Sequence, residues 1–155
     1  MKQLLILGCL FISLGLIGQS EEETEIKNPI NSFFSSFHAQ DSVGMASVVS
    51  KNVVLQTIGA NKQRQQVLRQ ENFNDLIHAI TSIPDSIKFE EKLLDYSIQV
   101  DGPMANVWTP YEFWLNNTFS HCGVNSFQLF KQEGQWKIIY LIDTRRREGC
   151  VNQPN

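Results

Sequence analysis

Residues 87–145 read IKFEEKLLDYSIQVDGPMANVWTPYEFWLNNTFSHCGVNSFQLFKQEGQWKIIYLIDTR, and this run decides the fold. Its apolar residues recur with a period of two, and turn chemistry interrupts it at Asp101-Gly102-Pro103, Asn116-Asn117 and Glu133-Gly134. Four long strands are predicted, roughly 87–100, 104–115, 118–132 and 136–145, joined as an antiparallel meander. With Glu133-Gly134 as a two-residue loop, Asn125 faces Ile142, Phe127 faces Tyr140 and His121 faces Arg146. With Asn116-Asn117 as another, Glu112 faces His121 and Trp108 faces Asn125. Opposed residues share a face, so one face collects Trp108, Glu112, His121, Asn125, Phe127, Tyr140, Ile142 and Thr144. The other collects Val107, Thr109, Tyr111, Phe113, Val124, Ser126, Gln128, Ile139, Leu141 and Asp143. One β-bulge between Glu112 and His121 would move one of them to the opposite face.

Upstream the periodicity is helical. Asn28 can cap a helix with Pro29 at its first position, and Ile30, Phe33, Phe34 and Phe37 form its apolar stripe. Asp41 can cap a short second helix carrying Val43, Met45, Ala46 and Val49. A strand at Val53–Ile58 turns through Gly59-Ala60-Asn61 to a partner near Gln66–Arg69, and Asn72 opens a third helix with Phe73, Leu76, Ile77 and Ile80 on one side. The expected class is α+β: three N-terminal helices packed on a strongly curved antiparallel sheet, covering one face and enclosing a pocket.

The segments Ser32-Phe33-Phe34-Ser35-Ser36-Phe37-His38-Ala39-Gln40-Asp41, Val53–Ile58, His121–Leu129, Gly134-Gln135-Trp136-Lys137-Ile138 and Asp143-Thr144-Arg145-Arg146 follow in an order that resembles the nuclear transport factor 2-like superfamily, with its SnoaL-like and lumazine-binding branches. The resemblance spans residues 29–150 and implies a cone-shaped fold with an apolar cavity, often dimeric through the outer sheet face. It implies no single activity, since isomerases, dehydratases, cyclases and transport adaptors share the fold.

The chain begins with Lys2 and an apolar run from Leu4 to Ile17, followed by Gly18, Gln19 and Ser20. This reads as a signal peptide over residues 1–20, with too short an apolar run to anchor stably in a bilayer core of about 30 Å. The protein is therefore expected to be exported, periplasmic or secreted. Residues 21–28, opening on Glu21, Glu22 and Glu23, read as a disordered acidic lead-in, and 151–155 as a frayed tail. After cleavage Cys122 and Cys150 remain, which permits one disulfide or leaves Cys122 as a buried thiol. The net charge is −3 and no basic stripe is present, which argues against nucleic acid as a partner. No phosphate loop, Rossmann fingerprint, serine elbow or metal-ligand spacing occurs, so no cofactor and no metal is expected.

Two kinds of function fit these residues. In a binding module, Trp108, Tyr111, Phe127 and Tyr140 offer stacking surface for a small ligand, with Asn125 and Arg145 as polar partners. In a cofactor-free enzyme, the catalytic candidates are Glu112, His121 and Asp143: Glu112 and His121 stand in cross-strand register, and Asp143 sits late in the last strand. The plainer alternatives are a polar pair at the rim and a structural bridge from Asp143 to Arg145 or Arg146.

Overall fold

The computed structural model describes residues 13–151, with side chains from Glu21 onward. Most of the expected signal segment and all but Val151 of the expected tail lie outside the residues so described. Three helices, α1 (Ser13–His38), α2 (Ser42–Val48) and α3 (Phe73–Thr81), pack on seven strands: β1 (Val49–Ala60), β2 (Gln66–Glu71), β3 (Phe89–Leu93), β4 (Ser97–Asp101), β5 (Met104–Leu115), β6 (Thr118–Gln132) and β7 (Gln135–Thr144). The strands form one curved sheet in the order β2-β1-β7-β6-β5-β3, and β4 also pairs with β5. Every pairing is antiparallel except β1 with β7, which is parallel, so the sheet is mixed.

The apolar stripe of α1 drives the assembly. Ile26, Ile30, Phe33, Phe34 and Phe37 are all buried and lie across the concave face of the sheet, where Phe34 meets Phe127 edge-on at 6.2 Å. Capping sets the next two helices: Asp41 accepts from the Val43 and Gly44 N–H groups, and Asn72 accepts from that of Asn74. The Gln40 side chain donates to the Ile80 and Ile83 carbonyls, each at 2.7 Å, which ties the end of α1 to the end of α3.

Residues 21–28 are helical rather than a disordered lead-in, and Asn28 is no cap because α1 runs straight through it. Proline at 29 removes one backbone donor, but the turn before it is held from outside the helix. Ile26 is fully buried, and Glu25 pairs with Lys131 at 2.9 Å. The first long strand is also divided: β3 pairs with residues 111–115 of β5 and β4 with residues 104–108, so Leu94-Asp95-Tyr96 bridges a bend along one edge.

The decisive departure is the register. Near each turn the pairing runs as a two-residue loop demands, Leu115 with Thr118 and Gln132 with Gln135. Ser120 is then an extra residue in β6 and Ile139 in β7, and from there each ladder is displaced by one. Phe113, not Glu112, faces His121; Thr109 faces Asn125 and Trp108 faces Ser126. Asn125 faces Asp143, Phe127 faces Leu141, and Cys122 rather than His121 bridges Arg146. The concave face therefore takes Val107, Thr109, Tyr111 and Phe113 from β5, His121, Asn125 and Phe127 from β6, and Leu141 and Asp143 from β7.

On the convex face Cys122 is bonded to Cys150, 28 residues later, which holds the segment after β7 against the sheet. Opening this link by reduction or by Cys150→Ser should lower the unfolding free energy by about 3 kcal/mol in a denaturant titration, and a change below about 1 kcal/mol would show that the link constrains little. Gly123 lies opposite Tyr111, and a Cβ there would overlap the Thr144 carbonyl oxygen and stand 2.7 Å from the Tyr111 ring. Gly123→Ala should therefore cost at least about 2 kcal/mol in the same titration, and a neutral result would mean the ring and strand give way easily.

Candidate functional site

Between α1, α3 and the concave face lies a cavity of about 370 Å³. Its walls are apolar: Phe33, Phe34 and Phe37 from α1, Leu76 and Ile80 from α3, and Leu55, Phe113 and Leu141 from the sheet. One end is polar, formed by Glu71, Glu91, His121, Asn125, Asp143 and Arg145. These six come from β2, β3, β6, β7 and the residue just beyond β7. Alternation along β7 puts Asp143 in phase with the wall residue Leu141.

Asp143 is buried, and its Oδ2 accepts from Arg145 Nε at 2.8 Å. The Tyr111 hydroxyl stands 3.1 Å from the same oxygen and 3.0 Å from the Thr144 carbonyl oxygen. Burial, reinforced by the Asp143 and Glu91 charges, pushes the Tyr111 phenol far above its ordinary range, so it remains a hydrogen-bond donor. Burial works against the Arg145 charge, yet Asp143 beside it, aided by Tyr111 and Glu71, raises the guanidinium pKa overall. The Arg145 side chain is 50% exposed, so it stands at the cavity mouth rather than in its depth.

Glu91 is the carboxyl whose protonation its surroundings alter. Its Oε1 accepts from Asn125 Nδ2 at 2.7 Å, and desolvation raises its pKa from 4.5 to about 7. The Asn125 bond and Arg145 oppose that rise and the Asp143 charge adds to it. Its backbone N–H donates to His38 Nε2 at 2.9 Å, which requires that nitrogen to be unprotonated. Burial lowers the His38 pKa in keeping with this, against a raising influence from Glu90.

His121 stacks on Phe113 with centroids 4.9 Å apart and meets Tyr111 edge-on at 5.9 Å. Its Nδ1 lies 3.1 Å from Ser120 Oγ. Burial, then the Arg145 charge, lower its pKa, and Arg147 adds to this against the pull of Asp143. The imidazole is thus neutral near neutral pH.

His121, Asn125, Asp143 and Arg145 come together at the polar end, with Tyr111 behind Asp143. Phe127 is fully buried under α1 and belongs to the core. Trp108 and Tyr140 lie on the convex face, Trp108 half exposed and Tyr140 hydroxyl-bonded to Gln56 at 2.6 Å. Glu112 is on that face too, opposite Cys122, with Oε2 accepting from Trp114 Nε1 at 3.2 Å and Oε1 without a partner among the described residues. Its pairing with His121 is removed by the extra Ser120, which turns His121 inward and leaves Glu112 outward. Glu71 and Glu91 were missed by sequence reasoning. For Glu91 the signal is present: it shares a strand face with Phe89 and Leu93, a carboxylate in phase with two apolar side chains.

The sequence matches no family model, and it matches no curated protein. The structure resembles a protein of unknown function from Mycobacterium tuberculosis at 17% identity, with a TM-score of 0.68 over 90% of this chain and 83% of that one. It resembles a nuclear transport factor 2-like protein with a cystatin-like fold from Novosphingobium aromaticivorans at 11% identity and TM-score 0.66, over 94% and 96% of the two chains. A second Novosphingobium aromaticivorans protein, described provisionally as a scytalone dehydratase, is 11% identical with TM-score 0.63 over 83% and 86%. With three helices laid in a curved, mostly antiparallel sheet, and these structures sharing its layout over 83% to 94% of the chain, the chain has the cone-shaped fold seen in nuclear transport factor 2-like proteins.

Proposed function

We propose that this is an exported module that holds a small ligand, apolar over most of its surface and polar at one end, inside the cone. The observation that carries the reading is the cavity: about 370 Å³, walled by three phenylalanines of one helix and lined at one end by six polar side chains. That volume and mixed lining suit a compact organic molecule. Export is supported by the apolar run Leu4–Ile17 and by the use of Cys122 and Cys150 as a disulfide. Native mass spectrometry of protein purified from a bacterial periplasm tests both parts. The expected spectrum shows an adduct released by mild activation and a mature mass lacking residues 1–20; an empty protein would contradict the carrier reading.

A second reading, proton transfer without a cofactor, is favoured by one group. A buried carboxyl that titrates near neutrality is matched to taking and returning a proton, and Glu91 has this property where Glu112 had been the candidate. Its consequence for stability has a definite sign. A carboxyl whose pKa is raised in the folded state binds more protons folded than unfolded, so its contribution is present below about 4.5 and is lost as pH rises to about 7. The wild type should lose on the order of 1–3 kcal/mol relative to Glu91→Gln across that window in denaturation at fixed temperature. Parallel curves for the two proteins would place Glu91 at an ordinary pKa and remove the basis for the proton-transfer reading.

A further inference from the structure

We infer that the cone selects organic cations: its ligand class is an amine or ammonium group carried on a flat apolar body, preferred over the carboxylate of the same shape. This rests on the reading of the cavity as a ligand site and names what the polar end recognises.

The charge balance at that end is one-sided. Among the residues lining the cavity Glu71, Glu91 and Asp143 face one cation, Arg145, while Arg147 acts on His121 from outside the lining; His121 is held neutral by burial and by these two arginines. Arg145 is the group an anionic ligand would need, and its charge is already offset. Its Nε is paired with Asp143 at 2.8 Å, and Glu71 is close enough to add to the hold on its charge. An anion reaching the terminal nitrogens of Arg145 would meet a charge already offset by Asp143 and would lie against the Glu91 and Glu71 carboxylates. An ammonium group meets acceptors instead, and it carries three donors to satisfy them.

The walls favour the same sign. Phe33, Phe34 and Phe37 border the cavity, and the negative face of an aromatic ring attracts a cation, more strongly where water is excluded.

The preference is coupled to pH through Glu91, because only its ionised form attracts the ammonium. The groups surrounding that carboxyl are His38 from α1, Tyr111 from β5, Asn125 and His121 from β6, and Asp143 and Arg145 from β7 and its end, with Glu71 across the mouth. Asp143 and Arg145 offset one another, and the two histidines are neutral, which leaves Glu91 as the group whose charge changes near neutrality.

The test uses three matched probes, 3-phenylpropylamine, 3-phenylpropanol and 3-phenylpropanoate, titrated into the intact mature protein at about pH 8 by calorimetry or ligand-observed NMR. The amine is expected to bind about tenfold tighter than the carboxylate, with the alcohol between them. The ratio should shrink in Glu91→Gln and in Glu71→Gln, whose folding is checked by circular dichroism, and in the wild type as pH is lowered to about 5.5. Equal or tighter binding of the carboxylate overturns the cation preference and leaves the ligand site standing. Binding by none of the three overturns the ligand-site reading, and the preference with it.

Discussion

The structure depends on one act of burial, the stripe Ile26, Ile30, Phe33, Phe34 and Phe37 of α1 laid into the hollow of the sheet. Neither partner is stable alone: the helix would expose its phenylalanines, and a curved sheet with Val107, Phe127, Leu129 and Ile138 bare on its inner face would expose its own. The lower part of α1 fills the cone solidly against those residues. Beside its C-terminal part, which reaches β3 through Phe37 and His38, the space between Phe34, Phe37, α3 and the strands is left open as the cavity. What desolvates Glu91 is this same lid, so the folding interaction and the unusual chemistry of the site have one cause.

The layout of the chain was legible because it is written in local signals. The spacing of Phe33, Phe34 and Phe37 marks the face of α1, Asp41 and Asn72 mark the starts of α2 and α3, and Asn116-Asn117 and Glu133-Gly134 mark two hairpins whose first pairs are as a two-residue loop dictates. The start of α1 was misread for a reason equally local. Asn28-Pro29 is a good opening for a helix, and only the distant contacts of Ile26 and Glu25 with the sheet extend it backward. The parallel pairing of β1 with β7 joins strands far apart in the chain, and nothing near either one announces it.

The site was legible only in part, because its assembly turns on two single residues. Ser120 and Ile139 each add one position to a strand, and nothing about a serine or an isoleucine at those places declares a bulge. Yet these two shifts bring His121 and Asn125 to the side of Asp143 and send Glu112, Trp108 and Tyr140 to the other. Asp143, His121, Asn125 and Arg145 were visible as chemistry without being visible as neighbours. Glu91 was passed over since Glu90-Glu91-Lys92 looks like an ordinary solvated run, although Phe89 and Leu93 flank it on the buried side.

The most direct measurement of whether the cone encloses and dries its polar end is a pH titration of the Glu91 side-chain carboxyl carbon by ¹³C NMR in the folded protein. The structure calls for a midpoint near 7, well above the 4.5 of a free glutamate. A midpoint close to 4.5 would mean that water reaches the carboxyl freely, and that the helical lid does not close the cavity as described.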